Sequence, residues 1–371
     1  MNKNNFDKVR AGLDGVTRRD FMKFCTAIAA TMGLPLEVAP KIANAVTSPQ
    51  RPPVIWLSGQ ACTGCVETLL RPNHPTLEHL ILDLISLEYN ETLNAGSGHQ
   101  AEKELHESIR KYSGKFILVV DGAIPVKDGG VYCMLGDRPF VEAVKEIASR
   151  AGAIVAIGSC ASWGGIPSAD PNPTGATPLP VILDDKTVVS VPGCPPNPYN
   201  FISTVLYYMT FNKLPALDQK GRPTFAYGRL IHENCERRPH FDAGRFANAF
   251  GDEGHRRGYC LYKLGCKGPQ TYANCPAILF GDVGSASWPV GTGHPCFGCT
   301  EDGVGFFVPL HTKAEVIQPT PDAIQAPIEV SKGEGVSAGA AALLAGAAGV
   351  AAGAGAMAVK KLGSDDSSEE S

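Results

Sequence analysis

The sequence carries little charge. Only 19% of its residues are charged, and 33 Lys and Arg against 37 Asp and Glu leave a formal net charge of -4. No stretch collects basic residues into a stripe or interleaves them with aromatic residues. Because a nucleic-acid-binding surface needs such a positive patch, the sequence argues against nucleic acid as a partner.

Cysteine, glycine and proline are abundant by contrast. The 371 residues include 12 Cys, 41 Gly and 29 Pro. This composition is typical of a loop-rich protein in which most of the cysteines serve one common role. The length exceeds that of one typical domain and predicts two domains with appendages.

Four cysteines follow the ends of predicted buried strands. The motif Cys62-Thr63-Gly64-Cys65 comes after an apolar run at 53–58, and Cys160 and Cys194 follow two further runs. A C-x-x-C pair alone fits a redox dithiol, half a zinc site or half an iron–sulfur site. Because the carboxyl ends of parallel strands lie side by side, all four thiols can converge at one sheet edge. Four thiols suit a cubane iron–sulfur cluster, and buried structural thiols are the alternative.

Strand-like apolar runs alternate with helical periodicity between residues 46 and 230. This pattern predicts an α/β fold, a flavodoxin-like doubly wound parallel sheet. The loop after the first strand normally binds phosphate in such folds, whereas here it contains the C-x-x-C motif, so a cluster replaces the phosphate. The predicted strands are 53–58, 79–86, 116–121, 153–158 and 187–191, and the predicted helices lie near 66–71, 100–111, 138–150 and 198–211.

Residues 231–318 predict a smaller, irregular domain. This segment is rich in Gly, Pro and aromatic residues and has few long apolar runs, so metal centres are expected to hold it together. Seven candidate ligands divide naturally into a group of four and a group of three. Zinc is the alternative metal, because Cys3His sites are common. The candidates are His232, Cys235, Cys260, Cys266, Cys275, Cys296 and Cys299.

The first 45 residues predict a twin-arginine export signal. Thr17-Arg18-Arg19-Asp20-Phe21-Met22-Lys23 precedes a modest apolar segment, and Ala43-Asn44-Ala45 has the small-x-small form that signal peptidases read. Cys25 would be removed with the signal, and the odd number of remaining cysteines favours metal over disulfides. The twin-arginine route carries folded proteins, which suits a chain that receives its metal before export. An amphipathic helix with a chance arginine pair is the alternative.

The carboxyl-terminal segment predicts a membrane anchor. Residues 319–335 form a polar linker, and residues 336–359 run 24 positions without a charge. As a helix this span is ~36 Å long, enough to cross a ~30 Å hydrocarbon core. Gly and Ala dominate it, so we expect it to pack on other membrane helices, and a flexible linker is the alternative. Lysines then mark the cytoplasmic end, and residues 360–371 form a disordered cytoplasmic tail.

These motifs together resemble the small, electron-transferring subunit of an exported, membrane-bound nickel–iron hydrogenase. The similarity extends from the signal to about residue 310. Its most specific parts are Cys62-Thr63-Gly64-Cys65-Val66-Glu67, Gly158-Ser159-Cys160-Ala161-Ser162-Trp163-Gly164-Gly165, Pro192-Gly193-Cys194-Pro195-Pro196-Asn197-Pro198, and Trp288-Pro289-Val290 followed by Gly293-His294-Pro295-Cys296-Phe297-Gly298-Cys299.

The resemblance implies three iron–sulfur clusters in a row. Electrons would pass one at a time from a proximal cluster through a medial to a distal cluster. The implied ligands are Cys62, Cys65, Cys160 and Cys194 for a proximal 4Fe-4S cluster, His232, Cys235, Cys260 and Cys266 for a distal 4Fe-4S cluster, and Cys275, Cys296 and Cys299 for a medial 3Fe-4S cluster.

The resemblance also implies partners. A hydrogenase large subunit would carry the nickel–iron centre and split hydrogen, and this chain itself would hold no catalytic residue. At the periplasmic face of the cytoplasmic membrane, electrons would reach the quinone pool through a cytochrome b or a ferredoxin-like protein with an integral membrane partner. Gly64 and Gly165 stand where oxygen-tolerant relatives carry extra cysteines, which implies the standard, oxygen-sensitive uptake type. The alternatives are a stand-alone exported iron–sulfur electron carrier and a zinc-stabilised structural protein.

Overall fold

The computed structural model describes residues 18–48, 51–72, 80–281 and 287–316, which lie within the compact unit Met1–Gln318. The predicted linker, membrane span and tail, at 319–335, 336–359 and 360–371, lie outside the described residues. Within the described ranges, no helix has the length and apolar character that crossing a bilayer requires.

A five-stranded parallel sheet forms the centre of the fold and confirms the predicted α/β class. Its strands are β1 Pro53–Ser58, β2 Ser86–Asn90, β3 Ile117–Asp121, β7 Ala153–Ile157 and β9 Val189–Val191, and two small antiparallel pairs join β4 Ile124–Pro125 to β8 Ala176–Thr177 and β5 Met134–Leu135 to β6 Arg138–Pro139. The order across the central sheet is β2-β1-β3-β7-β9. Strands β1, β3, β7 and β9 are almost entirely buried, as expected where both faces of a parallel sheet are covered, whereas the edge strand β2 is polar in part and only partly buried.

The prediction of a strand at 79–86 is wrong. Leu80–Leu84 is a π-helix, and the strand begins only at Ser86. Leu80 and Leu84 are both buried and stand four residues apart, so they share one helical face. A short apolar run does not distinguish such a helix from a buried strand, which is why the sequence misled here.

Helices cover both faces of the sheet. Side chains alternate along β1, so that Val54 and Trp56 enter one apolar core while Ile55 and Leu57 enter the other. The helices are α1 Arg18–Thr31, α2 Ala39–Val46, α3 Gly64–Glu67, α4 His99–Lys111, α5 Phe140–Ala148, α6 Gly158–Trp163, α7 Gly165–Ser168, α8 Leu179–Ile182, α9 Pro198–Phe211, α10 Thr224–Tyr227, α11 Ile231–Asn234, α12 Arg238–Asp242 and α13 Glu253–Arg256.

The described part of the amino-terminal segment is folded. Helices α1 and α2 pack on each other and on α9, and the Lys41 ammonium lies 4.7 Å from the centre of the Phe211 ring. Cys25 and Ile42 are fully buried in the same core as one face of the sheet. Ala43, in the predicted cleavage motif, lies inside α2 and is also fully buried. The apolar face of this segment therefore contributes to the core.

Regular structure becomes sparse after α9. The helices α10 to α13 span only four or five residues each, and short 3-10 turns occupy Tyr262–Leu264 and Gly268–Gln270. Loops therefore position most of the candidate ligands in this region.

Candidate metal centres

The first group of candidate thiols lies at the carboxyl edge of the sheet. The register aligns Ser58 with Asp121, Asp121 with Ile157, and Ile157 with Val191, so these strand ends form one line. The four cysteines named above follow this line, Cys62 and Cys194 in loops, Cys65 in α3 and Cys160 in α6. Because the strand ends are neighbours, residues far apart in sequence meet here.

The four thiols lie close enough together for their charges to interact. Burial raises the pKa of Cys65 well above its usual value, and negative charge on Asp121, Cys160, Cys194 and Cys62 raises it further. The pKa of Cys160 is raised to about 11, chiefly by burial and then by Cys194. Thiols that disfavour one another's ionisation in this way suit a positively charged group that all four can share.

Glycines give these sulfurs room. Gly158 has φ +85, and a Cβ atom built on it would overlap the Cys65 Sγ atom. A Cβ atom at Gly165, whose φ is +55, would lie 2.7 Å from Cys160 Sγ. The backbone N–H of Ile166 donates a hydrogen bond to that sulfur and lowers the pKa of Cys160. Only glycine combines these backbone conformations with such close approach.

Asp121 is a buried carboxylate beside this group that sequence reasoning missed. Its Oδ1 atom accepts hydrogen bonds from Ser58 Oγ at 2.6 Å and from Trp56 Nε1 at 3.0 Å. Its Oδ2 atom is buried and has no hydrogen-bond partner among the described residues. Burial raises the pKa of Asp121, although these two hydrogen bonds oppose the shift. The signal that could have identified Asp121 is an acidic residue at the last position of a predicted buried strand.

The second group of candidate ligands lines one cavity. His232 lies in α11, Cys235 follows the end of that helix, and Cys260 and Cys266 lie in the loops beyond. All four border a cavity whose empty volume, counting the part open to solvent, is about 350 Å³. The structure thus brings together the four residues that their spacing along the sequence assigned to one group of ligands.

The His232 imidazole has the chemistry of a metal ligand. Its Nε2 atom is buried and has no hydrogen-bond partner within the described ranges. Burial lowers the pKa of His232 to about 4, with a further contribution from the positive charge of Arg238 that Asp242 opposes. The ring is therefore neutral at physiological pH, and a neutral imidazole nitrogen is a common metal ligand.

The third group, Cys275, Cys296 and Cys299, lies between the other two. Burial, together with charge on Cys275 and Cys194, raises the pKa of Cys299 to about 12. The backbone N–H of Cys194 donates a hydrogen bond to Cys299 Sγ. Burial also raises the pKa of Cys296, followed by the charge on Cys266. Cys299 therefore faces the first group, while Cys296 faces the second.

Hydrogen bonds tie the three groups together. Ser159 donates a hydrogen bond from Oγ to the carbonyl oxygen of Cys299 at 2.6 Å and accepts one from the Gly193 N–H at 3.0 Å. The Lys267 N–H donates to the carbonyl oxygen of Cys296 at 2.6 Å. The loops of the middle group are thus anchored on both sides.

A buried ion-pair network holds the loop after Cys299. Arg222 Nη1 lies 2.8 Å from Glu301 Oε2 and also donates to the Thr300 carbonyl oxygen at 3.0 Å. Arg222 Nε lies 2.7 Å from Asp218 Oδ2, and Lys220 Nζ lies 2.6 Å from Glu301 Oε1. Sequence reasoning missed this network, because Arg222 and Glu301 are far apart along the chain.

Every cysteine of the chain is a free thiol. Cys133 is partly buried against the other face of the sheet, away from the three groups, and burial raises its pKa to about 11. Across the described residues, no three His, Cys, Asp or Glu side chains are placed to hold a single metal ion. The fit to a metal group rests instead on clustered thiols, glycine clearances and the unpartnered imidazole nitrogen.

Two sequence families match the chain. The family that describes the carboxyl-terminal part of NiFe/NiFeSe hydrogenase small subunits matches residues 227–309. The family described as NADH ubiquinone oxidoreductase, 20 Kd subunit matches residues 62–208. Between them, these matches include all three groups of candidate ligands.

Known proteins extend the similarity to nearly the whole chain. The Hydrogenase-2 small chain of Escherichia coli strain K12 is 56% identical over 349 residues, 94% of each chain. The Uptake hydrogenase small subunit of Azotobacter vinelandii is 48% identical over 289 residues, 78% of this chain and 80% of that one. The reduced, active Ni-Fe-Se hydrogenase of Desulfomicrobium baculatum gives a TM-score of 0.66 at 35% identity, covering 71% of this chain and 100% of that chain.

Proposed function

Because the chain belongs to the small subunits of nickel–iron hydrogenases, we propose that ten of its cysteines and one histidine hold three iron–sulfur clusters in a row. The chain is the electron-transfer subunit of a hydrogenase whose catalysis takes place in the large subunit. Iron–sulfur clusters supply one-electron redox chemistry when bound. The proposed order is proximal, medial, distal.

The contacts of the middle group are the observation that carries this order. Cys299 meets Cys194 of the proximal set, and Cys296 meets Cys266 of the distal set. A route from the proximal to the distal set thus passes through Cys275, Cys296 and Cys299. The proposed contents are 4Fe-4S at the four-ligand proximal and distal sets and 3Fe-4S at the three-ligand medial set.

The chain's own groups tune these sites. Backbone N–H groups donate to sulfur at several ligands, as Ile166 does to Cys160 and Arg237 to Cys235, the latter at 3.4 Å. Such hydrogen bonds stabilise negative charge on sulfur and favour the reduced state. His232 contributes a neutral ligand where a thiolate would add charge, which makes the distal potential less negative.

We assign residues 46–318 to two domains. Residues 46–230 form a flavodoxin-like domain that holds the proximal set, and the sheet order, 2-1-3-4-5 in chain order of its strands, supports this assignment. Residues 231–318 form the smaller domain with the distal and medial sets. Cys62 is exposed, as are the apolar side chains of Leu70 and Ile166, 56% and 64%, so the large subunit is proposed to cover this edge.

Metal analysis of the complex purified from membranes tests the proposed function. We expect a large polypeptide to co-purify with nickel, and about eleven iron atoms beyond the one paired with nickel. Electron paramagnetic resonance should show one three-iron signal in the oxidised state. Zinc in place of iron would support the structural alternative, and full iron without a nickel-containing partner would support a stand-alone carrier.

The twin-arginine signal is part of the same proposal and leads to an expected result. The double variant Arg18→Lys, Arg19→Lys should leave the protein unprocessed in the cytoplasm, because the pair is the recognition element. Cell fractionation with detection of precursor and processed forms measures this. The control Arg110→Lys, at an exposed position of α4, should be exported normally. Normal export of the double variant would refute the signal.

The anchor is proposed from the uncharged run at 336–359. It would place the complex on the periplasmic face of the membrane, beside a cytochrome b or ferredoxin-like acceptor system that feeds quinone. Truncation after Gly335 should release an active, soluble complex, measured as hydrogen-dependent dye reduction in the supernatant. Activity that stays in the membrane pellet would assign the anchor to another subunit.

A further inference from the structure

Lys267 is a fully buried lysine between the proposed medial and distal sites. Its side chain is 0% exposed, and it follows the distal ligand Cys266 directly. Its backbone N–H donates to the carbonyl oxygen of the medial ligand Cys296 at 2.6 Å. A Cβ atom built on Gly298, within the Cys296–Cys299 loop, would lie 3.3 Å from Lys267 Cβ. The lysine stem therefore lies against the medial loop.

The surroundings of this ammonium group are unusual for a buried charge. It donates a hydrogen bond to the carbonyl oxygen of Thr312. No carboxylate of the described ranges forms an ion pair with it. A buried cation needs a nearby negative charge to offset its lost hydration.

We propose that the Lys267 ammonium is a fixed positive charge shared by the medial and distal clusters, and that it raises the reduction potential of both. The proposal rests on the cluster assignment made above. Reduction adds one negative charge to a cluster, and a cation held in a low-dielectric interior stabilises that added charge. One residue thus keeps two successive electron acceptors easy to reduce.

The test is a redox titration of the whole complex followed by electron paramagnetic resonance. In Lys267→Gln, which removes the charge and keeps a polar side chain, the ratio of reduced to oxidised medial cluster at a fixed potential should fall about tenfold, equivalent to ~59 mV for one electron. The distal cluster should shift in the same direction. Lys267→Arg keeps the charge and should keep both midpoints near those of the unsubstituted complex.

Lys263→Met is the matched control, because Lys263 is exposed and its Nζ donates to Asn248 Oδ1 at 3.1 Å. It should leave both midpoints unchanged. Unshifted midpoints in Lys267→Gln with normal cluster content would overturn the proposal. So would loss of clusters in both Lys267→Gln and Lys267→Met when Lys267→Arg retains them, since the charge would then serve assembly. Absence of cluster signals in the unsubstituted complex would defeat the cluster assignment itself.

Discussion

Cys299→Ala should nearly abolish hydrogen-driven electron delivery while leaving hydrogen activation in the large subunit intact. Cys299 faces the proximal set through Cys194, and it belongs to the only set placed between the proximal and distal groups in the described ranges. Removing a direct ligand should cost more than the ~10–100-fold typical of groups that merely support a ligand. We expect hydrogen-dependent reduction of an acceptor that reacts at the distal end to fall more than ~100-fold.

Isotope exchange between H2 and water, which needs only the large subunit, separates the two steps and should persist. Cys133→Ala is the matched control, because Cys133 is a partly buried free thiol outside the three groups. It should keep full acceptor reduction. A Cys299→Ala complex that reduces the acceptor at the normal rate would remove Cys299 from the electron path.

Arg222→Ala should destabilise the subunit by about 3–5 kcal/mol, because it leaves buried charge without its partner. The Arg222 side chain is only 5% exposed, and the change would break its contacts with Asp218 and Glu301. It would also free the Thr300 carbonyl oxygen beside Cys299. We expect a lower thermal unfolding midpoint of the purified complex and loss of iron from the medial site before the others.

Arg256→Ala is the control for this change. Arg256 makes an ion pair with Glu253 at 3.3 Å, but both side chains are more than 60% exposed. Exposed ion pairs add little stability, so the unfolding midpoint and the iron content should not change. Equal effects of the two variants would show that the buried network does not hold the medial loop.

Three strands of the sheet could be predicted closely from sequence because they are buried on both faces. The runs at 53–58, 116–121 and 153–158 agree with β1, β3 and β7 within one residue. The run at 79–86 failed because its leucines are spaced for a helix that ends just before the strand. The amino-terminal segment remains a predicted export signal. The packing of its described part in the core could not be predicted, since the pattern of apolar residues does not show what they pack against.

The thiols that converge at the sheet edge were predictable for a topological reason. Parallel strand ends are neighbours whatever their separation in sequence, so Cys62, Cys160 and Cys194 could be grouped in advance. Buried charges were not predictable in this way. Lys267 and Arg222 read as ordinary surface residues in the sequence, and their roles depend on loops that only the folded chain brings together.

The burial of Ala43 bears on maturation. A protease takes its substrate as an extended strand, whereas Ala43 lies inside α2 with no exposed surface. Cleavage at this motif requires α2 to unwind and to separate from α9. The rate of cleavage therefore depends on how often the chain opens locally, and not only on whether the protease can reach it. If this segment is removed as proposed, the apolar face of α9 loses its cover. Processing at this motif would therefore be irreversible, because the shortened chain no longer carries the helices that cover this surface.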